Sequence, residues 1–520
     1  MKTGKTLSFV RANYVLSLLI LFASAIGCTR CTREKPQPSK TPFEDANFNP
    51  FDADLGKRIE AYNAVSAPNM ANSKTGNPAL YIDFSSGLNK AFADPAIKGM
   101  MSDCFNTVLA EKFDAYKLGS NKITTLNITN TTELGQQVSD AAQYADIWAP
   151  IQMAVEKIVS GNNDALLITD FEEWQHDNEV TNTAFLKIPF SKWLEKGNSV
   201  HFFIADYKEG GVNKHLYFTV FNCGNPNASS MLTKLEGKLG PLSTRFDLST
   251  KSYELKTDYP SEKTGGIFFD ASGKSDQAKN VLDLKDTYIN GLKKGDHFEF
   301  YPLGIDWKTI NEMHETYKSQ GQFNEIFRKL LINLSNDDSY TFSDFDVKVA
   351  DITKDFENFA KSDEAKKHQP KLTKGSNGEA KFADNESDPI ALSCYDTNGK
   401  IKEQWIYKAE AGQSLNEIFT LNQTLFTNTS KTDLKKAEFG VAFDPKFNIK
   451  NIADPKGLIK VDIVINSAVP NLSNAKLAKL QWVNAKNVPN IALAESVKNT
   501  LQELKPSNKV IYSYYIKTEQ

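Results

Sequence analysis

Two carboxylates, each closing an apolar run, are the residues of this chain best placed to do chemistry. Ala79-Leu80-Tyr81-Ile82-Asp83 leads into Phe84-Ser85-Ser86-Gly87, and Asp164-Ala165-Leu166-Leu167-Ile168-Thr169-Asp170 leads into Phe171-Glu172-Glu173-Trp174. Continuous apolar runs bounded by polar turns suit central strands of a sheet covered on both faces. In such sheets ligands bind in the crevice beyond the carboxyl ends of the strands. Asp83 and Asp170 fall at that edge, with Ser85 and Ser86 beside the first. Carboxylate and hydroxyl oxygens converging there suit a hard divalent cation.

The elements that would position them alternate along the chain. Asp94-Pro95 starts a helix that runs from Ala96 to Leu109. Ile147 to Ile158 reads as a turn and helix, and Gly161 to Asp164 leads into the second apolar run. Ser199 to Asp206 and His215 to Phe221 read as two further strands, and Ser229 to Leu239 as a closing helix. Alternating strands and helices predict a doubly wound α/β sheet.

Over Pro78 to Leu242 this pattern resembles the von Willebrand factor A domain, whose first strand ends in Asp-x-Ser-x-Ser and whose fourth ends in Thr-Asp. The resemblance implies a Mg²⁺ or Mn²⁺ site at Asp83, Ser85 and Asp170, completed by water or a partner's carboxylate. Two positions depart from the pattern. The second serine falls on Gly87, and the threonine of the Thr-Pro turn falls on Ala149, before Pro150. Ser86 and Asp146 are nearby oxygens, neither at the family position. The alternative is a degenerate site in which Asp83 accepts backbone hydrogen bonds at its turn.

The amino terminus speaks of address. Lys2, Lys5 and Arg11 precede the apolar stretch Tyr14 to Ile26, then Gly27-Cys28. That stretch is shorter than the about 20 apolar residues a membrane span needs, and its basic flank suits a secretory signal. Ser24-Ala25-Ile26-Gly27-Cys28 resembles the bacterial lipobox, with Ala25 where the family prefers leucine. The resemblance implies lipidation of Cys28 and a protein anchored to a membrane leaflet without spanning it. A plain signal peptide cut near Ala25 is the alternative. The basic run Thr29-Arg30-Cys31-Thr32-Arg33 favours a periplasm-facing over a surface-exposed position. We therefore expect a signal peptide over 1–27, a flexible tether over 28–76 and a von Willebrand A-like domain over 77–242.

Beyond it we expect a mixed α+β region over 243–370, a polar linker over 371–388 and a β-rich accessory domain over 389–520. In the mixed region Ser243 to Tyr259, Gly265 to Asp270 and His297 to Leu303 look strand-like, and Ile310 to Leu334 has helical spacing. In the last region Ser393 to Ile401 and Gln404 to Tyr407 flank an Asn-Gly hairpin signal. Phe439 to Phe443, Ile459 to Ile465 and Val510 to Ile516 read as strands, and Ile491 to Leu504 as an amphipathic helix.

Other chemistry is thinly signalled. The net charge of −3, with both signs interspersed, argues against nucleic acid as a partner. The widely spaced cysteines fit neither a zinc motif nor a disulfide framework. Glu172-Glu173 reads as a solvated loop, and His176 as a surface histidine. Gly-x-Ser-x-Gly, His-Glu-x-x-His and the P-loop pattern are absent, so no catalytic residue is assigned. The expected function is binding of an envelope protein or glycan at the edge carried by Phe84 to Ala93, Tyr144 to Pro150 and Phe171 to His176. Phe84, Trp148, Phe171 and Trp174 would be its exposed anchors. The alternatives are a scaffold subunit with a degenerate metal site and an envelope enzyme without a recognisable motif.

Overall fold

The run Ala79–Asp83 forms strand β1 in a computed structural model of the chain, and it is buried from Leu80 onward. The structure describes residues 42–52, 54–66, 77–108, 112–128, 130–161, 163–175, 178–223, 231–251, 254–257, 282–283, 302–306, 330–333, 338–375, 378–421, 436–439, 441–444, 457–483 and 488–519. The architecture is mixed α/β. Strand β1 pairs in parallel with β2 (Asp114–Gly119) and β4 (Ala165–Thr169), and β2 pairs antiparallel with β3 (Lys122–Leu126). The remaining strands are β5 (Ser199–Glu209), β6 (Val212–Asn222) and β7 (Thr244–Leu248), giving a seven-stranded order β3-β2-β1-β4-β6-β5-β7.

Beyond β4 every pairing is antiparallel. The cause is local. Gly210 and Gly211, with φ of 58° and 87°, close a two-residue turn between Glu209 and Val212. Two consecutive positive φ values make the hairpin turn whose twist matches its strands, and glycine adopts them without a Cβ clash. Strand β6 therefore folds back and inserts beside β4. Strand β7 lies past Leu242 and still belongs to this sheet.

Alternation along the strands gives the sheet two buried faces. Leu80, Ile82, Leu166, Ile168, Phe203 and Phe218 share one core with α1 (Ser86–Ala93), α2 (Pro95–Val108) and α6 (Met231–Leu239). Asp94 starts α2 as expected, its Oδ1 accepting the Ala96 N–H at 2.9 Å. On the other face Tyr81, Leu167, Phe202 and Tyr217 pack with α4 (Ile151–Ser160) and α5 (Lys187–Glu195).

That second core continues into the carboxyl-terminal part of the chain. Helix α7 (Ala492–Glu503) contributes Leu493, Val497 and Leu501 to it, and the Ser496 Oγ accepts the Leu186 N–H at 3.3 Å. A six-stranded sheet adds β8 (Leu282–Asp283), β9 (Pro302–Asp306), β10 (Tyr340–Asp351), β11 (Gln413–Ser414), β12 (Leu458–Pro470) and β13 (Ser507–Glu519), in the order β8-β9-β13-β12-β10-β11. Its strands come from both the expected mixed region and the expected β-rich region, on either side of the polar stretch 371–388. The chain divides into one compact unit of Pro50–Glu364 with Gln404–Gln520 and another of Met1–Asn49 with Ala365–Glu403.

In the smaller unit, Asp388 caps helix Pro389–Cys394 by accepting the N–H groups of Ile390 and Ala391. The expected hairpin at 393–407 is corrected here. Ser393 and Cys394 end that helix, and Tyr395 meets Ile401 in a single bridge around Asn398-Gly399. The polar stretch 371–388 contains a short hairpin, Leu372–Lys374 with Ala380–Phe382. In the larger unit, Leu330–Asn333 is a strand between Glu254–Thr257 and Lys436–Phe439 rather than the end of a helix. Gly265 to Asp270, His297 to Tyr301, Ile310 to Lys329 and Cys28 lie outside the described residues. Among the described residues, no helix is long and apolar enough to cross a membrane.

Candidate functional site

Parallel pairing of β1 with β4 sets Ile82 beside Ile168, so the two strands end side by side. The Thr169 hydroxyl donates to Asp83 Oδ2 at 2.8 Å, and the Ser85 N–H donates to Asp83 Oδ1 at 2.7 Å. Ser85 also bridges to Asp146, whose carbonyl accepts the Ser86 N–H at 2.7 Å. The Asp170 Oδ1 accepts the Glu172 N–H at 2.9 Å. Its Oδ2 lies 3.5 Å from where a Cβ on Gly87 would sit, which places this carboxylate against the start of α1. The sequence reading of a shared strand edge for Asp83, Ser85 and Asp170 matches this geometry.

The edge is not open. Asp83 and Asp170 are 1% and 5% exposed. The β5–β6 hairpin runs past the end of β4, and its Lys214 pairs with Glu172 while its Glu209 accepts from Lys90 of α1 at 2.8 Å. Burial pushes the Asp83 carboxyl up against the opposing pull of Ser85 and Thr169. Burial does the same to Asp170, and the charges of Glu172 and Asp83 add to it. Tyr207, the register partner of Lys214, has a buried hydroxyl without a hydrogen-bond partner. Burial, then the field of Asp170, Glu172, Glu209 and Asp83, pushes its phenol up.

Glu172 and Glu173 are not solvated loop residues. Glu173 is buried, and its Oε2 accepts the Gln152 N–H at 2.9 Å in the first turn of α4. A carboxylate there meets the positive end of the helix. Burial still pushes the Glu173 carboxyl up to about 7.

Two of the four expected anchors need correction. Phe84 and Phe171 are fully buried, because alternation at the strand ends turns them into the cores. The Phe84 ring stacks obliquely on Tyr144 at 5.1 Å, and Phe171 meets Tyr217 edge-on at 5.2 Å. Phe171 reaches its position with a φ of 58°, a strained region for an aromatic residue. The stretch Phe84 to Ala93 is helix α1 from Ser86 onward rather than a loop. Trp148 and Trp174 are half-buried, and His176 lies outside the described residues. Ile147, which the sequence reading passed over as part of a turn, is 72% exposed beside Trp148.

The donor set does not fit a tightly held divalent ion. Both Asp83 oxygens and one Asp170 oxygen already accept protein hydrogen bonds, and the two missing hydroxyls fall on Gly87 and on buried Ala149. Among the described residues, no group of three or more His, Cys, Asp or Glu side chains is arranged to hold a metal. A separate cleft of about 400 Å³ lies between α2 and α3 (Thr131–Ser139), with Phe92, Met101, Phe105 and Val138 in its lining. No family model, curated protein or solved structure matches this chain.

Proposed function

We propose that this chain is a lipid-anchored protein of the bacterial envelope that docks a protein partner on the strand-edge loops of a von Willebrand A-like domain. The order β3-β2-β1-β4, with β1, β2 and β4 parallel and β3 antiparallel, supports that likeness for the first half of the sheet. The observation that carries the docking surface is Ile147, a large apolar side chain 72% exposed beside half-buried Trp148, on the loop that feeds α4. Tryptophan is among the residue types that anchor interfaces, and the exposed aliphatic side chain beside it extends the apolar surface. The partner is held by these side chains and not through a shared metal ion. The anchor is Cys28, and nucleic acid is not a partner.

A scaffold subunit with a purely structural acidic edge is the second reading. It is favoured by the hydrogen bonds that already engage Asp83 and Asp170.

Pull-down from envelope extract with wild type and an Ile147→Asp, Trp148→Ala double variant tests the docking surface. The reading expects loss of a protein partner at an unchanged melting temperature. Retention of every partner by the folded variant would reject it, and retention of a glycan alone would replace protein by glycan. For the anchor, Cys28→Ala should release the protein from membranes without detergent. A wild-type protein already free of membranes would exclude lipidation.

A further inference from the structure

Ser199, His201 and Asp247 stand in one hydrogen-bonded line, although none of them belongs to a hydrolase motif. Ser199 and His201 are two apart on β5, so they share the face that carries Phe203. Strand β7 sets Asp247 directly opposite His201. The Ser199 Oγ is 2.7 Å from His201 Nε2, and His201 Nδ1 is 2.7 Å from Asp247 Oδ1. The imidazole thus joins a hydroxyl to a carboxylate through its two nitrogens. This is the nucleophile, base and orienting-acid arrangement that is recognised by geometry rather than by sequence order.

The surroundings suit those roles. Asp247 also accepts from Arg245 Nε at 2.6 Å, and its N–H donates to Asp338 Oδ2 at 3.0 Å. Burial opposes the charge of Asp247, but His201 and Arg245 outweigh it and hold the carboxyl well below the usual carboxylate range. An ionised carboxylate at Nδ1 keeps the ring proton there and turns the Nε2 lone pair to Ser199. His201 and Asp247 are 6% and 3% exposed and Ser199 is half-buried, which makes the hydroxyl the most accessible member of the three. Asn222, opposite Ser199 on β6, holds its Nδ2 3.4 Å from the same Oγ. That amide donates to the Oγ, so the oxygen is held between an amide donor and the ring nitrogen. The other charges facing the imidazole are Asp164, Arg245, whose Nη2 is 3.4 Å from Nδ1, and Glu236, paired with Arg245.

We propose that Ser199 is the nucleophile of an acyl-transfer site that hydrolyses carboxylic esters, with His201 as its base and acid and Asp247 as the positioning residue. Ser199 Oγ bonds to the ester carbonyl carbon and its proton passes to His201 Nε2. The bond to the alkoxide breaks as Nε2 returns that proton to the leaving oxygen. Water then gives a proton to Nε2 and its oxygen to the acyl carbon. Release of the carboxylic acid restores the Ser199 hydroxyl, with the proton handed back from Nε2. Asp247 stays ionised throughout, and no oxidant or cofactor enters. An ester suits a site with one side-chain donor, because an alkoxide leaves more readily than an amine.

Treatment of the folded full chain with a fluorophosphonate, followed by peptide mass spectrometry, tests this without a variant. The adduct is expected on Ser199, absent from heat-denatured protein. His201→Gln should slow labelling by on the order of 10²-fold or more. Hydrolysis of p-nitrophenyl acetate should fall in parallel and vanish in Ser199→Ala. A folded protein left unmodified at Ser199, or labelled equally fast in His201→Gln, would overturn the proposal and leave the line of hydrogen bonds as a stabilising feature of the sheet. The outcome is independent of the docking surface, because Ile147 and Trp148 take no part in the relay.

Discussion

Thr169 donates its hydroxyl to the Asp83 carboxylate at 2.8 Å, joining residues 86 apart in sequence at the shared end of β1 and β4. The same Oγ1 accepts the Phe171 N–H at 3.2 Å, so one hydroxyl organises both turns. Thr169→Val keeps the shape and removes both bonds. Leaving buried groups without partners costs about 1–3 kcal/mol. Urea unfolding should show that loss as a lower midpoint with an unchanged slope. An unchanged midpoint would mean that the hydroxyl is dispensable.

Glu173 predicts a pH dependence of stability. Its carboxyl is raised from 4.5 to about 7 in the fold, so between those values the folded protein holds more protons than the unfolded chain. The contribution is therefore present below about 4.5 and lost as the pH rises to about 7. At about 1.4 kcal/mol per pK unit, the change amounts to a few kcal/mol at most. Glu173→Gln keeps an acceptor for the Gln152 N–H and should flatten this part of the stability profile. A profile of the same slope in the variant would assign the dependence to other groups.

Burial separates the large apolar side chains of the strand edge. Phe171→Ala removes a fully buried ring and should cost about 3–5 kcal/mol. Ile147→Asp, at an exposed position, should stay within about 0.5 kcal/mol of wild type. Equal melting temperatures for the two variants would contradict the placement of Phe171.

Metal dependence should be weak or absent. Chelation by EDTA should leave the melting temperature unchanged, and millimolar Mg²⁺ or Mn²⁺ should give no calorimetric heat. A ligand at 100 times its dissociation constant stabilises by about 2.7 kcal/mol, which a melting curve would register. Asp170→Asn retains an acceptor for the Glu172 N–H and removes a buried charge. It should be neutral or stabilising near neutral pH, whereas loss of stability there would argue for a bound cation.

The carboxylates at the strand ends were legible because an apolar run followed by Asp marks both a buried strand and its exit. The direction of β6 was less so, although Gly210-Gly211 between two strand-like runs carries a hairpin signal. Read as two strands in a parallel series, the pair hides the roof it places over the acidic edge. Phe84 and Phe171 misled because a residue following a strand can continue its alternation into the core. The relay at Ser199 was hidden for a different reason. Ser199 and His201 are visibly two apart, but Asp247 lies 46 residues beyond His201 and joins them only through the register of β5 with β7.

The docking of α7 on α5 sets an order of events in the life of the chain. Leu186 and Ser496, 310 positions apart, share a hydrogen bond, and Tyr217 reaches the Lys479 carbonyl at 2.7 Å. A nascent chain emerging from its amino end would display the α5 surface, with nothing to cover it, until residues 492–503 had been made. Such long-range closure is slow, and exposed apolar surface in the interval invites aggregation. The layer formed by α5 and α7 therefore closes only after residues 492–503 have joined the chain.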